Sequence, residues 1–165
     1  MERISFIPAK EITSVCLDSS GNIWLSVYAD GVYGYTSAGD EFCHLNTGNL
    51  LSNDVVLDIK EIDGKLWLAT DGGGLNVYDP DTQGMRVISH IPGNNNSLPV
   101  NSFGCLYNDQ EKNIWAGSIR GGLIGLKRTY FYTYGDAQLN STSGLSYKTV
   151  TSLYEDCLLY TSDAA

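Results

Sequence analysis

The sequence predicts an all-β chain that forms part of a β-propeller: three four-stranded antiparallel blades and the first strand of a fourth. Three observations carry this. Trp24, Trp67 and Trp115 recur 43 and 48 residues apart, close to the length of one blade. The residues flanking each tryptophan recur in step with it. Between these anchors run short stretches rich in Val, Ile, Leu and Tyr, separated by Gly, Asp, Asn and Ser, with no sustained helical period.

The repeat extends well beyond the tryptophans. Ile23, Leu66 and Ile114 precede them, and Asp18, Glu61 and Asp109 stand six residues earlier. Seven residues after them come Gly31, Gly74 and Gly122, each followed by Val32, Leu75 or Leu123, and then by Tyr35, Tyr78 or Leu126. The first unit, about 11–46, predicts strands at 12–18, 22–28, 32–36 and 41–45. The second, 54–92, predicts 55–62, 65–70, 75–78 and 85–91. The third, 100–135, predicts 102–108, 114–119, 123–127 and 130–134, the last an aromatic outer strand. Val150-Thr151-Ser152-Leu153 opens a fourth unit at 147–156.

Polar segments at 46–54, 92–99 and 135–146 are longer than hairpin turns and are expected to cross from one blade to the next. Turns such as Asp71-Gly72-Gly73-Gly74 and Arg120-Gly121-Gly122 call for positive φ, which glycine adopts cheaply. Each tryptophan is expected between blades, where its apolar area stabilises stacking of neighbouring sheets. The tail 157–165 departs from the repeat, with Leu159 and Ser162 where Gly and Trp belong, and is similar to adapter-derived read-through. Both ends are therefore expected to be cut, leaving an unclosed ring whose outer sheets invite pairing with other copies.

Composition narrows the function classes. The 165 residues are 42% hydrophobic and 18% charged, which fits a globular domain, and no apolar run is long enough to span a bilayer. This segment is therefore expected to make no membrane contact, and its first residues show no secretion signal. A net charge of −9 without a basic cluster argues against nucleic acid as a partner. Cys16, Cys43, Cys105 and Cys157 lie too far apart for the close pairs of zinc or haem sites, so no metal or cofactor is expected.

The runs Ile12-Thr13-Ser14-Val15-Cys16-Leu17-Asp18 and Gly64-Lys65-Leu66-Trp67-Leu68-Ala69-Thr70-Asp71-Gly72-Gly73-Gly74-Leu75-Asn76-Val77-Tyr78-Asp79-Pro80 resemble the two-component regulator propeller repeat. The resemblance covers about 11–156 and departs from the pattern at Tyr28-Ala29-Asp30-Gly31 and at Lys112, where the repeat carries turn glycines. It implies the periplasmic sensor region of a hybrid two-component histidine kinase of the Bacteroidetes type, responding to polysaccharide-derived oligosaccharides. The implied partners are such an oligosaccharide, the remaining blades and downstream sensor domains of the parent, and a second copy of the parent. Kinase chemistry would belong to the parent and not to this chain.

No nucleophile with its base and no tuned carboxylate pair stands out, so the chain is expected not to be an enzyme. The repeated acids are expected to serve turns, and His44 and His90 to end equivalent last strands as solvated residues. Blade-end loops are where a propeller scaffold is free to place binding groups. There Arg120 offers a planar fork for an acidic sugar, Tyr28 a ring for stacking, and Asp71 a carboxylate. Tyr33 is expected to pack in its sheet. Two other functions fit a propeller: a protein-interaction scaffold, and a streptogramin-lyase-like enzyme, which would need a catalytic histidine beside an acid.

Overall fold

A computed structural model describes residues 10–94, 96–126, 131–134 and 150–153. Among these residues, twelve strands form three separate four-stranded antiparallel sheets, each in simple meander order. The first holds β1 (Ile12–Leu17), β2 (Ile23–Val27), β3 (Gly31–Tyr35) and β4 (Glu41–Leu45). The second holds β5 (Val56–Ile62), β6 (Lys65–Thr70), β7 (Leu75–Asp79) and β8 (Gly84–Ile88). The third holds β9 (Phe103–Asn108), β10 (Ile114–Ser118), β11 (Leu123–Leu126) and β12 (Phe131–Tyr134). The expected first strand of a fourth blade falls mostly outside the described residues, as does the tail 157–165. Val150 nevertheless meets the third blade, donating its N–H to Ser118 O at 3.0 Å.

The sheets stack through their faces. One core joins Trp24, Val32 and Leu45 of the first sheet to Val56, Ile59, Leu66, Leu68 and Tyr78 of the second. Another joins Ala69 and Leu75 of the second to Phe103, Leu106, Ala116, Ile124 and Leu126 of the third. Such fully buried side chains contribute about 1.5–3 kcal/mol each, so the stacking is apolar in origin.

The three inner strands β1, β5 and β9 share a local irregularity. Ile12 pairs with Val27, Val56 with Thr70 and Phe103 with Ser118, and one residue is then bulged before pairing resumes at Ser14, Asp58 and Cys105. This bulge kinks each inner strand at the same place. The residues just past it reach between blades. Ser14 Oγ donates to Asp58 Oδ1 at 3.0 Å, Leu106 N–H donates to Asp58 Oδ2 at 2.8 Å, and Cys105 Sγ lies 3.6 Å from Val150 O.

The ladder also corrects the equivalence of the three acids. In the first and third blades Asp18 and Asp109 open five-residue turns and bond across them, to the N–H and side-chain amide of Asn22 and of Asn113. Their far oxygens accept the indole N–H of Trp24 at 2.9 Å and of Trp115 at 2.8 Å. Lys112 takes φ 63° at the position where Gly21 takes φ 83°, so the third turn keeps its shape without glycine. Glu61, counted to the same place from its tryptophan, instead sits within β5 opposite Leu66. The second blade turns through Asp63 (φ 50°) and Gly64 (φ 75°), a two-residue connection of the kind that matches strand twist. Glu61 accordingly faces the first blade and accepts from Ser19 N–H at 2.7 Å and Ser19 Oγ at 2.6 Å.

Register also shows which face of the first blade is uncovered. Ile12 and Val15 are 37% and 61% exposed, whereas Val56 and Ile59, at the same ladder positions of the second blade, are at 0%. Phe103 and Leu106 of the third are at 0% and 3%. The burial in the later blades comes from the preceding sheet.

Candidate functional site

In a meander the turn between the second and third strands lies at the same end as the crossover to the next blade. Hydrogen bonds tie the two together. Tyr28, Asp71 and Ile119 occupy one repeat position and donate their N–H groups to Glu11 O, Val55 O and Ser102 O at 2.9, 2.9 and 3.0 Å. Gly31 and Gly74 then donate to Asp54 O and Asn101 O, at 3.0 and 2.8 Å, in the crossovers.

Gly31, Gly74 and Gly122 adopt φ of 81°, 80° and 80°. A Cβ at Gly31 would lie 2.1 Å from Leu45 O, and one at Gly74 would lie 2.2 Å from Ile88 O. Both the backbone region and the close approach of the outer strand therefore require glycine. The third and seventh strands start from these fixed points, which holds the preceding turn in place.

On this platform the three candidate residues share one end of three successive blades. Tyr28 is 52% exposed, and Asp71 and Arg120 are also exposed. Asp71 stands at the position of Tyr28, and Arg120 one residue further along, where the other blades carry Ala29 and Gly72. Among the described residues Arg120 forms no ion pair. An aromatic face, a carboxylate and a guanidinium thus stand on one rim, and among the described residues none of their side-chain polar groups is hydrogen-bonded.

Beside Tyr28 lies a cluster that sequence reasoning missed. Asp30 pairs with Lys10 and accepts the Tyr33 hydroxyl at 2.9 Å, while His44 Nε2–H donates to the Asp30 carbonyl at 2.8 Å. The Tyr33 and His44 rings stack at 3.9 Å and 12°. The Lys10 and Tyr33 hydrogen bonds hold the Asp30 carboxyl below the usual carboxylate range. Burial, and then the bond to Asp30, push the Tyr33 hydroxyl up to about 12. The available signal was Asp30 itself, which stands where the other two turns have Gly73 and Gly121.

The histidines serve the backbone. His44 lies within β4, but β8 ends at Ile88, so His90 belongs to the crossover and donates from Nδ1 to Leu98 O at 2.7 Å. Among the described residues no group of His, Cys, Asp and Glu could hold a metal ion. Cys16, Cys43 and Cys105 are free thiols, each with its pKa pushed up chiefly by burial.

Four-stranded meanders stacked face to face, with bulged inner strands and glycine-fixed end loops, define an open segment of a β-propeller. A family model, the two component regulator propeller, matches residues 7–29 and 97–120. The fold is similar to the extracellular domain of BT3049 from B. thetaiotaomicron, described as a hybrid two component system, with 17% identity and a TM-score of 0.65 over 81% of this chain and 20% of that one. It is similar also to the extracellular domain of BT4673 from the same organism, with 16% identity, a TM-score of 0.62, and 77% and 18% of the two chains covered. A computationally designed protein, Ika8, gives 12% identity and a TM-score of 0.57 over 88% of this chain and 40% of its own. The chain thus spans about a fifth of the length of the two natural structures. No curated protein matches the sequence.

Proposed function

We propose that this chain is a segment of an extracytoplasmic ligand-sensing propeller in a two-component signalling receptor, placed in the periplasm and responding to oligosaccharides released from polysaccharides. The observation that carries the proposal is the alignment of Tyr28, Asp71 and Arg120 on equivalent loops of successive blades. A pyranose ring offers an apolar face for a tyrosine and hydroxyls for a carboxylate and a guanidinium. The repeat supports the receptor context, and the likeness to extracellular domains supports the compartment.

The role assigned to the chain is binding, with phosphoryl transfer carried out elsewhere in the receptor. Its nearest partners are further blades of the parent. The exposure of Ile12 and Val15, at positions sealed in the next two blades, supports a blade packed on that face. A second copy of the receptor and the downstream sensor domains complete the set of partners.

Calorimetric titration of the chain with neutral and acidic oligosaccharides tests the site. Binding is expected, weakened about tenfold or more by Tyr28→Ala or by Arg120→Gln. Absence of binding, or binding indifferent to both substitutions, overturns the assignment.

A further inference from the structure

The repeat shows what a purely packing tryptophan looks like, and Trp67 departs from it. In the first blade Trp24 stands opposite Gly34 on the neighbouring strand, and a Cβ there would lie 2.9 Å from the indole. Gly34 is paired in turn with Cys43. Tyr78 of the second blade covers the ring at 5.9 Å, Phe42 abuts it at 5.3 Å, and Asp18 takes its N–H. Trp24 is consequently 1% exposed.

In the second blade each of these provisions is changed. Val77 stands where Gly34 stood, and Arg86 where Cys43 stood. Leu126 replaces the covering tyrosine on the next blade. The shortened Asp63-Gly64 turn offers no aspartate to the indole N–H, which has no hydrogen bond among the described residues. Trp67 is left partly exposed, and beside it opens a cavity of about 420 Å³ lined by Lys65, Trp67, Val77, Asp79, Arg86 and Ile88 among others. Lys65 Nζ and Asp79 Oδ2 pair across its edge at 2.7 Å, while Arg86 is exposed and forms no ion pair among the described residues.

We infer that this cavity, on the outer part of the second blade's face toward the third, binds a small organic anion that carries a flat apolar ring face beside a carboxylate. The ring face lies on the Trp67 indole against Val77, and the carboxylate takes the two-pronged donor set of Arg86. The Lys65–Asp79 pair supplies one donor and one acceptor for hydroxyls at the edge. Its volume falls within the range of small-molecule sites. Two sources share this chemistry, a carboxylated pyranose and an aromatic carboxylate. The site is separate from the end loops that carry Tyr28, Asp71 and Arg120.

The test is titration of the full chain with trigalacturonate, with neutral galactotriose and with phenylacetate, followed by tryptophan fluorescence and calorimetry. At least one of the two acids is expected to bind and perturb the fluorescence, and the neutral sugar to bind at least tenfold more weakly. Arg86→Gln, on an exposed outer-strand position, should weaken the acid tenfold or more. Repeated in the Tyr28→Ala, Arg120→Gln background, which silences the end-loop site, the titration should keep this pattern, and Trp67→Phe there should retain binding with the fluorescence response lost. Which acid binds identifies the source. Failure of both acids to bind, equal affinity for the neutral sugar, or unchanged affinity in Arg86→Gln would each overturn the inference. Because the end-loop reading is tested by Arg120 and Tyr28, either proposal can fail without the other.

Discussion

The indole N–H of Trp24 donates to Asp18 Oδ2 at 2.9 Å, so the residue that opens the first turn also fixes the ring that closes the blade interface. The same oxygen pair accepts from Ser20 N–H and from Asn22. One carboxylate therefore ties a turn to a core.

Replacing Asp18 with alanine removes the acceptor of several donors at once. Stability should fall by about 1–3 kcal/mol, read from the urea midpoint of the chain. An unchanged midpoint would mean that the turn is held by its backbone alone.

The pH dependence follows from the same groups. Partial burial pushes the Asp18 and Asp109 carboxyls up, but the hydrogen bonds from Trp24 and Asn22, and from Trp115 and Asn113, outweigh it and leave both below the usual range. Their folded-state pKa values lie below the unfolded value of about 4. The stability they contribute is therefore fully present above about pH 4 and is lost as pH falls through the lower, folded-state values. Urea midpoints between pH 6 and pH 2 should show this loss, and the Asp18→Asn, Asp109→Asn double variant should show a shallower one.

Two glycines with similar backbone angles should respond differently to alanine. Gly64 has φ 75° and open space where an added methyl group would stand, so Gly64→Ala should cost only the left-handed strain of about 1–2 kcal/mol. Gly74 has φ 80° and would place that methyl 2.2 Å from Ile88 O, so Gly74→Ala must also push the outer strand away. Thermal denaturation should rank Gly74→Ala clearly below Gly64→Ala. Equal losses would show that β8 yields freely.

Trp24→Ala should cost about 3–5 kcal/mol, as for other buried aromatic truncations. Trp67→Ala should cost less, because its ring is already partly in solvent. Chemical denaturation of the two variants side by side decides this.

Most strands were legible because each blade must bury alternate residues between its neighbours, and that requirement writes a period into the chain. The end of β8 was misplaced because Ser89-His90-Ile91 continues the apolar pattern after Ile88, where the backbone has already turned to meet Gly74. Glu61 was misassigned because counting from Trp67 ignores the one residue saved by the Asp63-Gly64 turn, a hairpin signal that stood in the sequence. The cavity at Trp67 was not legible, since it depends on which residues of β7 and β8 lie opposite the ring. The Asp30 cluster was hidden for the same reason: Lys10, Tyr33 and His44 come from three separated stretches.

The inter-blade contact at the inner strands should behave as a coupled pair. Ser14→Ala and Asp58→Ala each remove one side of the 3.0 Å bond. The double-mutant cycle should give a coupling of about 0.5–3 kcal/mol, measured by denaturation. Additive losses would show that Asp58 acts through its other partners, the N–H groups of Leu106 and Ile59 and the Lys60 ammonium.

Just past the shared bulge, one ladder position holds a hydroxyl in Ser14, a carboxylate in Asp58 and a thiol in Cys105, and each answers a different group on its neighbour. The blades are alike in outline but not interchangeable as parts. A blade spliced into another place would arrive with the wrong functional group against the adjoining sheet. Their order around the ring is addressed by side-chain chemistry, in addition to being strung by the connecting chain. Recombination among repeats of this chain would thus be filtered at this position, alongside contacts such as that of Glu61 with Ser19.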